Sequence, residues 1–141
     1  MANTLEELPL YSKVLEFWGA VAAILERSSL RKNRQLYDQI DGANDSIESN
    51  MKEGFEQATD AAFANFVRIA KGSLAEVMTR MREGRRKRLV TDQDLAIVLE
   101  LGEPLGKMMG GFIKYLHASG FTDRGRHSVA PTPPKPSIRP R

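Results

Sequence analysis

A chain of 141 residues is long enough to close one hydrophobic core and too short for two, so a single domain is expected. It has no cysteine, which excludes disulfides and thiolate metal sites and suits a reducing compartment; the cytoplasm is the expected location. The net charge of +3 suggests anionic partners, yet Arg124, Arg126, Lys135, Arg139 and Arg141 crowd residues 124–141 with no acid, leaving the rest of the chain slightly acidic.

Residues 1–9 read as a short lead-in. Glu6 and Glu7 stand where a secretory signal wants a positive start, and the longest apolar stretch, Phe17 to Leu25, falls far short of the roughly 20 residues that span a bilayer. Neither export nor membrane insertion is expected. Pro9 suits the first turn of a helix, where its missing N–H has no partner to lose. Leu10, Val14, Phe17, Trp18, Val21, Ile24 and Leu25 then give the first helix an apolar face broad enough for two neighbours. With Phe17 beside Trp18, that face offers more aromatic surface than one seam covers, which predicts self-association.

Arg31 to Gln35 is polar and basic, either a connection or the first turn of the next helix. Leu36, Ile40, Ala43, Ile47, Met51 and Gly54 recur at spacings of three and four, predicting a second helix to about Phe55. The small residues Gly42 and Gly54 suggest close approach of a neighbouring helix. Thr59 is a good N-cap, with Asp60 at the positive end of the helix dipole. Phe63, Phe66, Ala70, Leu74, Val77 and Met81 carry the third helix to about Gly84. The second and third helices must therefore double back on one another to bury both stripes.

Thr91 with Asp92 and Asp94 predicts the start of a fourth helix, whose stripe includes Leu95, Val98, Leu105, Met109, Ile113 and Leu116. Pro104 predicts a kink or break near Gly102 to Pro104, and Gly110 with Gly111 a second soft point, before an end near Ser119 and Gly120. The expected fold is all-α, an antiparallel up-down-up-down four-helix bundle over residues 1–120. Residues 121–141, ending VAPTPPKPSIRPR, have few apolar groups to bury and read as a flexible, basic, proline-rich tail.

Catalytic signatures are missing. A di-metal carboxylate site in such a bundle needs Glu-x-x-His pairs, but Lys114 and Arg124 precede His117 and His127 at that spacing. GEPLGKM at Gly102 to Met108 has phosphate-loop glycines one residue too close and a methionine where the loop needs Ser or Thr. No enzyme activity, metal or cofactor is expected. Two features remain. Asn44, Ser46 and Asn50 on the second helix and Ser73 on the third form a polar seam, read either as a small-ligand or catalytic pocket or as bonds that select the helix register. Arg80, Arg82, Arg85, Arg86, Lys87 and Arg88 form a basic cluster, read either as a nucleic-acid contact or as a solvated end that complements the helix dipole. No interleaved aromatic supplies base stacking there.

Gln39, Ala43, Ser46, Ile47, Asn50, Glu53 and Gly54, followed by Phe63, Phe66, Ile69, Ala70, Gly72, Ser73, Leu74 and Glu76, carry a resemblance. This pattern is similar to the four-helix-bundle proteins encoded in intervening sequences of bacterial 23S ribosomal RNA genes, also called S23 ribosomal proteins. It spans about residues 10–118. Asp41 and Gly42 replace the family's basic pair, and Glu48 replaces its proline, which removes basic character from the second helix. The resemblance implies a cytosolic homo-oligomer, often a ring-shaped pentamer, of unestablished biochemical function. It further implies kinship with retroelement accessory proteins, which join a reverse transcriptase and bind RNA or DNA.

Overall fold

The computed structural model describes residues 3–119. Four helices fill most of that span: α1 (Pro9–Arg27), α2 (Arg34–Phe55), α3 (Asp60–Arg86) and α4 (Asp92–Ser119), with 3₁₀ turns at Leu5–Glu7 and Ser29–Lys32. No strand occurs among the described residues. The tail expected at residues 121–141 lies outside them, as does Gly120.

Local chemistry sets the helix starts. Pro9 occupies the first turn of α1, and Leu5 and Leu8 just before it are buried, so the lead-in closes the floor of the core. Asn33 accepts the Leu36 N–H at 3.1 Å to begin α2, and Thr59 accepts the Ala62 N–H at 3.1 Å to begin α3. At α4 the cap is reciprocal: the Asp94 N–H donates to the Thr91 hydroxyl at 2.9 Å while the Thr91 N–H donates to the Asp94 carboxylate at 3.1 Å.

Side-chain pairs establish antiparallel packing. Between α1 and α2, Tyr11 donates to Glu48 at 2.7 Å and Trp18 Nε1 to Asp45 at 2.8 Å, so one chain ascends as the other descends. Burial pushes the Tyr11 phenol well above its ordinary range, and the bond to Glu48 raises it further. Between α3 and α4 the match is Met78 with Gly102, Leu74 with Gly106 and Lys71 with Gly110, a stripe of glycines four apart lying along α3. The α2–α3 and α3–α4 pairings are extensive, while α1 packs more sparingly against α2 and α4. Phe17, Ile24, Ile47, Met51, Phe63, Leu74, Met81 and Leu105 are fully buried at the shared centre. Each stabilises the fold by roughly 1.5–3 kcal/mol before conformational entropy is set against it.

Three expectations need correction. The break expected near Pro104 does not occur: α4 is continuous through it, the proline sitting on an exposed face between Gly102, packed against α3, and buried Leu105. Gly54 is in close helix contact, whereas Gly42 faces open space and has no packing role. Phe17 is fully buried and Trp18 half-buried with its N–H bonded to Asp45, so neither supplies the expected aromatic patch. Among the described residues, the large exposed hydrophobics are instead Leu15, Met108 and Tyr115.

Candidate nucleic-acid interface

Because successive helices reverse direction, the exit of α1, the start of α2, the exit of α3 and the start of α4 meet at one end of the bundle. The Ser29 N–H donates to the Leu89 carbonyl at 3.1 Å, and Leu30 and Val90 are buried beside Gly84. This contact sets Arg27, Arg31, Lys32 and Arg34 beside Arg85, Arg86, Lys87 and Arg88. The acids there are Glu26, Asp38, Glu83, Asp92 and Asp94, and Asp38 holds Arg34 at 3.5 Å. At the other end stand Glu6, Glu7, Glu53, Glu56 and Asp60, against Lys52, Arg68 and Lys114, with His117 beside Arg68. Among the described residues, the first end is therefore basic and the other mildly acidic. The contribution of Arg27 to Arg34 was detectable in sequence only as a polar connection, since its meeting with residues 85–88 depends on the hairpin geometry.

The predicted cluster is partly neutralised from within. Glu83 receives Arg80 and Lys87, each at 3.2 Å, and bonds first from Lys87 and then from Arg80 hold its carboxyl below the ordinary range. Arg82 reaches Glu103 of α4 at 3.6 Å, and Arg85 pairs with Asp92. That hydrogen bond raises the Arg85 guanidinium and lowers the Asp92 carboxyl. Exposed pairs of this kind add little stability and open in competition with a polyanion. Arg86 and Arg88 are exposed, and among the described residues neither has an acidic partner. Arg88 also has a left-handed backbone, φ 63°, at the end of α3, where the Leu89 N–H reaches back to the Gly84 carbonyl at 2.8 Å. Glycine is the usual residue there because a Cβ is strained.

The polar seam resolves into two unlike parts. Ser73 donates to the Ser46 hydroxyl at 2.9 Å across α2 and α3, and Asn50 Nδ2 donates to the same hydroxyl at 2.9 Å and to the Ser46 carbonyl at 2.8 Å. These three half-buried residues form one closed network. Asn44 is fully buried and turns the other way, donating to the Trp18 carbonyl at 3.2 Å, while its Oδ1 has no hydrogen-bond partner among the described residues. The seam is thus not one pocket. Clefts of about 520 and 530 Å³ open at the acidic and basic ends, and one of about 120 Å³ lies between α1 and α4; none of the three is lined by seam residues. Among the described residues, no group of three or more His, Asp or Glu side chains is placed to hold a metal ion. No described helix is long and apolar enough to cross a membrane.

A family profile described as 23S rRNA-intervening sequence protein matches residues 6–111, most of the bundle. The chain belongs to that family. A solved structure gives the same architecture: a protein with unknown function from the S23 ribosomal protein family of Bacteroides thetaiotaomicron VPI-5482 superposes with a TM-score of 0.67. It is 20% identical in sequence, and the alignment covers 74% of this chain and 98% of that one. At that identity the likeness establishes a shared bundle fold. The comparison with curated proteins finds no match. The family profile spans both halves of the basic end, Arg27 to Arg34 and Arg85 to Arg88.

Proposed function

We propose that this 23S rRNA-intervening sequence family protein is a non-catalytic, self-associating scaffold that binds RNA or DNA through its basic end. The observation that carries the reading is the gathering of bases from Arg27 to Arg34 and from Arg85 to Arg88 onto one face of the bundle. Arg86 and Arg88 lead, since no described acid competes for them. The resemblance to retroelement accessory proteins would add a reverse transcriptase as a protein that such a nucleic-acid complex recruits.

A single copy offers few phosphate contacts, and the acids elsewhere repel a polyanion. A ring of copies, a pentamer by family resemblance, would multiply each basic end around a symmetry axis and convert weak contacts into avid ones. The exposed apolar residues Leu15, Met108 and Tyr115 are the surface available for that association. The test is retention of single-stranded RNA and DNA by the full chain across a salt series, with mass measured by light scattering. Binding should be nearly independent of sequence, weaken by orders of magnitude between about 50 and 200 mM salt, and accompany a mass well above 15.8 kDa. A monomer that retains neither polymer at low salt would overturn the reading and favour a protein partner.

A further inference from the structure

The cleft of about 530 Å³ at the basic end is lined by Arg27, Ser28, Ser29, Arg88, Thr91 and Gln93 above an apolar floor. Its one acid, Asp94, is already engaged: it holds Arg27 at 2.6 Å and accepts the Thr91 N–H at 3.1 Å. Arg27 is about half exposed and its guanidinium has further N–H donors beyond that pair. Arg88 also lines the cleft, without an acidic partner among the described residues. Three hydroxyls, of Ser28, Ser29 and Thr91, and the Gln93 amide line the same cleft.

The backbone of Arg88 adds an independent observation. The turn after α3 calls for glycine at this position, and arginine holds a left-handed conformation there at a cost in stability. A residue that opposes the local backbone preference marks a place where the side chain is needed for something other than folding. Nothing in the described packing needs it, since Arg88 is exposed and makes no described ion pair.

We infer that this cleft is a phosphate subsite, in which Arg88 and Arg27 clamp one phosphodiester of a bound RNA strand, with Ser28, Ser29 and Thr91 as hydroxyl donors to its free oxygens. Arginine suits this role because its planar fork matches two phosphate oxygens at once. The subsite rests on the nucleic-acid reading above and narrows it to one place. It also separates Arg88 from its neighbours Arg80, Arg82, Arg85 and Lys87, whose charges are answered by acids of the same chain.

The experiment measures affinity of the full-length protein for a short oligouridylate against salt, together with the thermal midpoint, for wild type and for Arg88→Gly, Arg88→Lys and Lys114→Gln. Arg88→Gly should be more heat-stable than wild type and yet bind RNA roughly three- to tenfold more weakly at low salt, with a salt slope shallower by about 0.7 for each phosphate that is no longer neutralised. Opposite movement of stability and binding is the signature, because an arginine without an RNA contact would gain stability on this substitution and leave binding unchanged. Arg88→Lys should keep most of the slope, and Lys114→Gln, far along α4 from the cleft, should leave it unchanged. If wild type binds with a salt-dependent slope and Arg88→Gly matches it, the subsite is wrong while the nucleic-acid reading stands. If wild type itself retains no RNA at low salt, both are wrong.

Discussion

The space that a side chain on Gly54 would need is already filled by Phe63: a Cβ built at residue 54 would lie 2.7 Å from Phe63 Cδ1 and 2.8 Å from Phe66 Cβ. α2 and α3 touch at backbone distance there, and Phe63 continues the contact edge-on to Phe55 and Phe112. Gly54→Ala should therefore destabilise the protein by about 1–3 kcal/mol, even though alanine is the better helix former. Gly42, on the same helix but facing open space, should respond oppositely, with Gly42→Ala adding up to about 1 kcal/mol. Urea denaturation of the two variants checks the pair, and a matching sign would show that packing does not explain either glycine.

The Ser46 hydroxyl is the shared node of the α2–α3 network, receiving both Ser73 and Asn50. Ser46→Ala should cost about 1–2 kcal/mol, more than Ser73→Ala, because it leaves two donors without that acceptor. A double-mutant cycle between positions 46 and 73 should give a coupling of at least about 0.5 kcal/mol. Coupling near zero would mean that water serves these groups equally well.

Asp94 predicts a pH dependence. Its burial works to raise the carboxyl, but the Thr91 N–H and the Arg27 guanidinium outweigh it, so the folded value lies below that of the unfolded chain. A carboxyl lowered on folding contributes stability above its unfolded value, near 4, and loses it as pH falls through the lower folded value. Asp94→Asn should thus cost about 1–2 kcal/mol at neutral pH, and the difference from wild type should shrink steadily in acid. Thermal melts from neutral pH down through the aspartate range test this; a constant difference would assign the effect to shape instead of charge.

Within the basic end, charge neutralisation ranks the residues for RNA binding. Arg82 faces Glu103 at 3.6 Å, whereas Arg86 has no acidic partner among the described residues. Arg86→Ala should lower low-salt affinity several-fold, and Arg82→Ala should lower it less, since Arg82 must give up Glu103 before it can meet a phosphate. Fluorescence anisotropy with labelled RNA gives the comparison, and the reverse order would place the contact along the α3–α4 face.

The sequence by itself determined the helices. Their apolar stripes, the proline that starts α1 and the hydroxyl caps at Thr59 and Thr91 act within about one turn of chain, so the information is local and survives in a linear reading. The hairpin of α2 on α3 followed from two stripes that neither helix buries alone. What only the tertiary structure decided depends on groups far apart in the chain. Pro104 reads locally as a break, yet packing at Gly102 and Leu105 holds α4 through it. Ser46 and Ser73 share a hydrogen bond and Asn44 points elsewhere, a division set by the angle at which α1, α2 and α3 meet. The basic end likewise joins Arg27 to Arg34 with Arg85 to Arg88 only because the Ser29–Leu89 contact closes one end of the bundle, and Glu103 neutralises Arg82 only because a glycine stripe draws α4 against α3. Electrostatic fields add through space, and distances between remote residues are fixed by packing, not by their spacing in the sequence.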